Sequence, residues 1–185
     1  MIANKIAEDV YEICDFITSE EQLEILNLIN SFNEEEWFKP NEHYIGEFWI
    51  GKSIFIENEL IKNINKKIKD LFISSEYIVP IGSINRHRVG ENMSPHLDDW
   101  IENADSYVRY GIVIYYNDNY EGGEIEYPEI LINIKPKQRS LIMHGGKVLH
   151  GTLPVLNNST RYFSTSFIKG SKQNPVVLNK DIFGE

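Results

Sequence analysis

At 185 residues the chain is long enough to enclose one full hydrophobic core, and its 42% hydrophobic and 25% charged residues exclude an intrinsically disordered protein. No apolar run approaches the roughly 20 residues that a membrane-spanning helix needs. With a formal net charge of −10 the chain lacks the surplus of Lys and Arg that wraps duplex nucleic acid, so neither a membrane nor a nucleic acid is expected as a partner.

The opening segment, MIANKIAEDVYEIC, mixes acidic with apolar residues and lacks the uninterrupted apolar stretch of a secretory signal. Cys14 is the one cysteine, so no internal disulfide can form and a reducing cytoplasm is the expected location. Thr18-Ser-Glu-Glu21 has the form of a capping box, and Leu23, Leu26, Ile29 and Phe32 follow at helical spacing. A second helix is predicted from about Asn58 to Ser74, with Ile61, Ile64, Ile68, Leu71 and Phe72 on one face. The basic run Lys62–Lys69 reads as its solvated face.

After residue 75 the texture changes to short apolar or alternating segments: IVPIGSINRHRV, YVRYGIVIYY, EIEYPEILINI, SLIMHG, KVLHG and RYFSTSFI. Asn117-Asp-Asn119 and Glu121-Gly-Gly123 between them are turn chemistry. Short strands at this spacing predict an antiparallel sandwich or barrel rather than a parallel α/β sheet. Residues 171–185, SKQNPVVLNKDIFGE, show no clear period and read as a loosely held tail. No repeat or linker interrupts the chain. The expected organisation is one domain over 1–185, with helical support over about 1–75, a β core over about 76–170 and the tail.

Of the histidines His43, His87, His96, His144 and His150, the informative one is His96, in Ser94-Pro-His-Leu-Asp-Asp-Trp100. In extended chain, residues two apart point to the same face, so His96 and Asp98 project together. One imidazole beside one carboxylate is two thirds of the facial triad that holds non-haem iron and leaves positions open. The plain reading of the same residues is a polar, solvated loop. His150 is followed eleven residues later by Arg161, at the start of a strand-like segment. A buried guanidinium needs an anionic partner, and a dicarboxylate chelating a metal at one end would offer its other carboxylate to it. Against this stands a surface arginine on a strand. His43 and His87 read as solvent or packing histidines.

Taken in order, these parts resemble the 2-oxoglutarate- and Fe(II)-dependent dioxygenases, and among them the prolyl 4-hydroxylase-like branch, over about residues 83 to 168. The resemblance is carried by Gly90, the His96/Asp98 pair, Arg109, Tyr115-Tyr-Asn117, Gly122-Gly-Glu124, Pro136-Lys137, His150, Pro154-Val155 and Arg161. It implies a mainly β fold with flanking α-helices, a double-stranded β-helix (jelly-roll, cupin-like barrel) with the metal at its open end. By this resemblance His96, Asp98 and His150 are the iron ligands and catalytic centre. Arg161 and Tyr115 hold the C5 carboxylate of 2-oxoglutarate, with a plain core aromatic as the other reading of Tyr115; Arg109, on the strand face of Tyr115, either lines the cavity too or forms a structural salt bridge.

The implied activity is hydroxylation of a C–H bond with release of succinate and CO2. It uses Fe(II), 2-oxoglutarate and O2, with ascorbate as an optional accessory. A peptidyl, prolyl side chain is the first substrate expected; a free amino acid or small metabolite is the alternative within the class. A non-catalytic cupin-like metal or ligand binder is the alternative outside it. Nucleic-acid dealkylating relatives fit less well, because their second arginine, six residues after the first, is here Phe167. Two departures stand out: Arg88-Val-Gly90 where an aromatic residue is common, and His144 where an apolar strand residue is usual. His144 is a rival third ligand, but Gly146-Lys-Val-Leu-His-Gly151 followed by Pro-Val favours His150. Specificity is expected in the loops 92–106 and 43–48. The oligomeric state leaves no mark on the sequence.

Overall fold

The capping box begins a helix where the sequence predicts one. The Thr18 hydroxyl accepts from Glu21 N (3.2 Å) and the Glu21 carboxylate accepts from Thr18 N (2.7 Å), which satisfies two donors that a helix start leaves open. In the computed structural model, which describes residues 1–39, 49–51, 58–99 and 106–184, helix α1 then runs over Ser19–Asn30. It buries Ile25 and Ile29, while Leu23, expected on the apolar face, is exposed. Helix α2, Glu59–Asp70, is capped by the Asn58 side chain and buries Leu60, Ile61, Ile64 and Ile68. It stops short of the predicted end because Phe72–Ser74 leaves the helix to pair as a strand.

The strands in chain order are β1 (Asn4–Ala7), β2 (Val10–Ile13), β3 (Trp37–Phe38), β4 (Trp49–Gly51), β5 (Phe72–Ser74), β6 (Tyr77–Val79), β7 (Asn85–His87) and β8 (Met93–His96). There follow β9 (Ser106–Tyr115), β10 (Ile125–Tyr127), β11 (Ile132–Ile134), β12 (Leu141–Gly145), β13 (His150–Thr152), β14 (Arg161–Ser171) and β15 (Val177–Leu178), then helix α3, Lys180–Phe183. Among the described residues a large antiparallel sheet has the order β1-β2-β12-β9-β14-β7-β4-β3, with β6 on the far half of β14. A smaller sheet has the order β11-β10-β13-β8. From β7 to β14 the chain crosses back and forth between the two, β7, β9, β12 and β14 falling in the large sheet and β8, β10 and β13 in the small one. This crossing is the double-stranded β-helix that the motif order implies.

Period-two alternation divides the core. On one face of the large sheet, Ile112, Ile114, Leu141, Met143 and Ile168 pack with Ile25, Ile61 and Ile64 of the helices. On the other face, Val10, Tyr115, Ile142 and Phe163 meet Ile125 and Tyr127 of the small sheet. Helices therefore cover the outer face of the large sheet, and the space between the sheets is left for the site.

Two expectations are corrected. The first residues are not helical support: β1 and β2 form a hairpin, tightened by Asp9 at φ 55°, and β2 extends the large sheet beside β12. The C-terminal segment is not a loose tail. β15 pairs with β5, Asn179 Nδ2 donates to Asp70 O (3.0 Å), and Ala3 N donates to Ile182 O (2.9 Å). Phe183 is buried edge-on against Tyr11 at 5.2 Å between ring centroids, and Gly184 at φ 72° ends helix α3. Side chains at wide sequence separation hold this segment, so no local period announces it. Phe183→Ala is expected to cost about 3 kcal/mol in urea unfolding; an unchanged midpoint would mean the segment is detached in solution.

Candidate functional site

Strand register assembles the first half of the site. His150, opening β13, stands directly opposite His96, closing β8, and their ring centroids lie 4.4 Å apart. Asp98 follows two residues after His96. Its Oδ1 lies 3.6 Å from His96 Nε2 and 3.9 Å from His150 Nε2, and one ligand atom from each of the three residues falls within 4.8 Å of the others. His96 Nδ1 donates to Ser94 O and His150 Nδ1 to Val148 O, both at 2.9 Å. A carbonyl can only accept, so both rings keep the proton on Nδ1 and turn the Nε2 lone pair toward Asp98.

The electrostatics follow from burial and neighbours. Burial, and then the neighbouring His144, push the His150 pKa down to about 3, which keeps the imidazole neutral. Burial opposes charge on His96 as well, but the neighbouring Asp98 carboxylate and the Ser94 carbonyl favour the protonated ring, outweigh burial and raise its pKa. Burial would raise Asp98, yet the hydrogen bond from His144 and the nearness of His96 hold its carboxyl well below the usual range. One anionic carboxylate and two outward-directed lone pairs form a donor set for a divalent metal ion.

His144, the rival ligand, is placed differently. Its Nε2 lies 3.3 Å from Asp98 Oδ2, the oxygen not shared with the other two histidines. His144 lies outside the group that could hold a metal.

The second half of the site is basic. Along β14, Arg161, Phe163, Thr165 and Phe167 alternate inward and line a cavity of about 530 Å3, its open mouth included. His96, Asp98 and His150 line the same cavity. Arg161 is 1% exposed. Its Nη2 donates to the Tyr115 hydroxyl (3.0 Å) and its Nη1 to His87 Nδ1 (2.9 Å), and the guanidinium lies 4.7 Å from the Phe163 ring centroid. Among the described residues no carboxylate pairs with it, and its Nε has no hydrogen-bond partner. A buried cation held only by neutral groups calls for an anion from outside the chain. The residues present therefore fit a divalent metal at His96, Asp98 and His150 and a carboxylate of its co-ligand at Arg161, within one cavity.

Arg109 is committed elsewhere. Its terminal nitrogens donate to both carboxylate oxygens of Asp9 (2.9 and 2.7 Å), and it does not line the cavity. The hairpin turn at Asp9 sets an acid within its reach, a long-range encounter without a local signal. His87, read as a packing or solvent histidine, lies directly across from Arg161 in the β7–β14 pair and is fully buried. Nothing in Asn85-Arg-His-Arg88 distinguishes that position in sequence. Of the expected specificity loops, residues 43–48 and 100–105, with His43 and Trp100, lie outside the described residues.

Residues 82–169 match the 2OG-Fe(II) oxygenase superfamily, a span that includes every site residue named above except Asp9. No curated protein sequence matches the chain. Among solved structures, the viral collagen prolyl hydroxylase of Paramecium Bursaria Chlorella virus-1, as its 2OG complex, is similar at a TM-score of 0.67 and 19% identity, over 90% of this chain and 99% of that one. A prolyl hydroxylase from Trichoplax adhaerens, in complex with a hypoxia inducible factor oxygen degradation domain peptide fragment, gives 0.70 and 16%, over 86% and 83%. A Pseudomonas putida prolyl-4-hydroxylase gives 0.63 and 16%, over 88% and 92%. At these identities the likeness is one of fold, the double-stranded β-helix.

Burial, and then the Arg161 charge, push the His87 pKa well below its usual value. The unfolded chain would take up a proton here near pH 6.5, as it would at His150, so it binds more protons than the folded one in mild acid and stability falls as pH drops. His96, with its raised pKa, works in the opposite direction. The metal-free protein is expected to melt at lower temperature at pH 5 than at pH 7, and His87→Gln to shrink that difference. An undiminished difference in the variant would show that His87 is not held neutral.

Proposed function

We propose that this chain, whose residues 82–169 match the 2OG-Fe(II) oxygenase superfamily, is an enzyme of that class and hydroxylates a C–H bond of a peptidyl side chain, prolyl in the first instance. One observation carries the assignment of roles: a metal-ligand group and a buried arginine that has no anionic partner among the described residues line the same cavity. A metal-binding barrel without a co-substrate would leave Arg161 buried and uncompensated, which argues against a purely binding, cupin-like protein.

His96, Asp98 and His150 would hold Fe(II). Bound there, it supplies the redox chemistry that couples oxidative decarboxylation of 2-oxoglutarate by O2 to hydroxylation of a substrate C–H bond. The chain's own residues supply position. Three protein donors would leave further metal positions open for co-substrate and O2. Arg161 and the Tyr115 hydroxyl would take the far carboxylate of 2-oxoglutarate, the guanidinium by charge-assisted hydrogen bonds. His87 accepts from Arg161 and so fixes its orientation. Met93, Val113, Ile125, Phe163 and Phe167 wall the cavity with apolar surface and keep water from the reacting centre.

The prolyl reading rests on the peptide-modifying proteins that share the fold, with a small-molecule substrate as the alternative. We take the described residues as one oxygenase domain, with β1, β2 and helix α3 as part of it. We place it in the cytoplasm on the strength of the lone Cys14, and no described helix is long and apolar enough to cross a membrane.

Anaerobic titration with Fe(II) and then 2-oxoglutarate is expected to raise the weak visible charge-transfer band of a chelated 2-oxo acid. Asp98→Ala should abolish the band. Arg161→Ala should weaken 2-oxoglutarate binding about 10- to 100-fold, the worth of charge-assisted hydrogen bonds. Metal binding without the band would return the protein to the cupin-like reading. With the band in hand, proline-containing peptides are expected to gain one oxygen atom by mass, with one succinate released per hydroxylation. Hydroxylation of free amino acids alone would move the substrate to the small-molecule class.

A further inference from the structure

His144 is the buried histidine that the proposed chemistry leaves unused, and the contacts around it have one direction. The Asp98 carboxylate can only accept, so His144 Nε2 carries the proton and donates to Oδ2 across 3.3 Å. That leaves His144 Nδ1 as an acceptor, and the Tyr127 hydroxyl, buried in β10, lies 3.3 Å from it. The His144 ring also lies against His150, with centroids 3.7 Å apart. Donation therefore runs from Tyr127 through His144 to the outer oxygen of Asp98, while Oδ1 faces the Nε2 atoms of His96 and His150.

Room for this contact is made by a residue with no side chain. Gly111 sits directly opposite His144 in the β9–β12 pair. A Cβ built on it would overlap Asp98 Oδ2 and lie 2.8 Å from His144 Nε2. A glycine in the middle of a long strand weakens the strand, and here it stands where the carboxylate oxygen must lie.

We infer that His144 is a positioning residue for Asp98: with Tyr127 behind it and Gly111 making space, it holds Oδ2 away from the metal site and presents Asp98 through Oδ1 alone. This rests on the reading of His96, Asp98 and His150 as metal ligands. Groups that orient a ligand from behind typically change metal affinity by about 10- to 100-fold when removed.

Co(II) is the probe, bound to the full chain without co-substrate and read by calorimetry and by its d–d absorption bands. His144→Phe keeps an aromatic ring of similar volume but cannot donate; it is expected to weaken Co(II) binding about 10- to 100-fold and to change the band shape. His144→Gln, which places an N–H donor near the same point, is expected to restore both to near wild type. Gly111→Ala tests the same device from the other side. Its methyl meets only side-chain ends, so it should move the carboxylate rather than unfold the strand, and it too should weaken Co(II). It carries the test by itself if His144→Phe does not fold. Wild-type affinity and spectrum in His144→Phe and Gly111→Ala would overturn the inference while leaving the metal site standing. Equal losses in the Phe and Gln variants would also overturn it, since packing alone would then explain them. If the wild type binds no Co(II), the metal reading falls and takes this inference with it.

Discussion

His96 and His150 stand opposite one another across the β8–β13 pair, and the rest of the site depends on that alignment. Side chains alternate along a strand, so a slip of one residue would turn either imidazole out of the cavity. The same constraint acts in the large sheet. β9 must present Gly111, Val113 and Tyr115 inward while Ile112 and Ile114 face the helices, and β14 must present Arg161, Phe163, Thr165 and Phe167. Burial of apolar residues on both faces of this sheet penalises any slip, so the hydrophobic core and the site share one register.

Between the two halves of the site lies a division of charge. At the ligand end, an anionic carboxylate faces two histidines whose protons are drawn away to backbone carbonyls. At the basic end, Arg161 is oriented by a tyrosine and a neutral histidine, partners that fix its geometry without cancelling its charge. A carboxylate partner within the chain would stabilise the empty protein more and leave nothing to bind an incoming anion. Keeping the guanidinium uncompensated costs stability, and the apolar packing of the surrounding sheets offsets that cost.

The periphery serves this interior. Helices α1 and α2 cover the outer face of the large sheet, so its inner face is free to line the cavity. The chain ends are tied together: β1 and β2 extend the sheet beside β12, and the C-terminal segment packs on β5 and Tyr11. The Asp9 hairpin turn that joins β1 to β2 also holds Arg109, which falls where the β9–β14 register shifts, so the inward alternation of Gly111, Val113 and Tyr115 does not extend to it.

What was legible in the sequence has a local physical cause. The Thr18 capping box, the 3.6-residue period of α2, the strand-like alternation after residue 75 and the two-residue spacing of His96 and Asp98 all act within a few residues along the chain. That His150 and Arg161 belong to one site was legible through the ordered resemblance of the motifs, and both line one cavity. The remainder was decided by contacts between residues far apart in sequence. His87 faces Arg161 across 74 positions, His144 meets Asp98 across 46, and Arg109 meets Asp9 across 100. The strand register of a crossing-over barrel sets those encounters. Gly111 shows the limit most plainly: as a letter it is a weak spot in a strand, and only its neighbours across the sheet show that its missing side chain makes room for the Asp98 carboxylate.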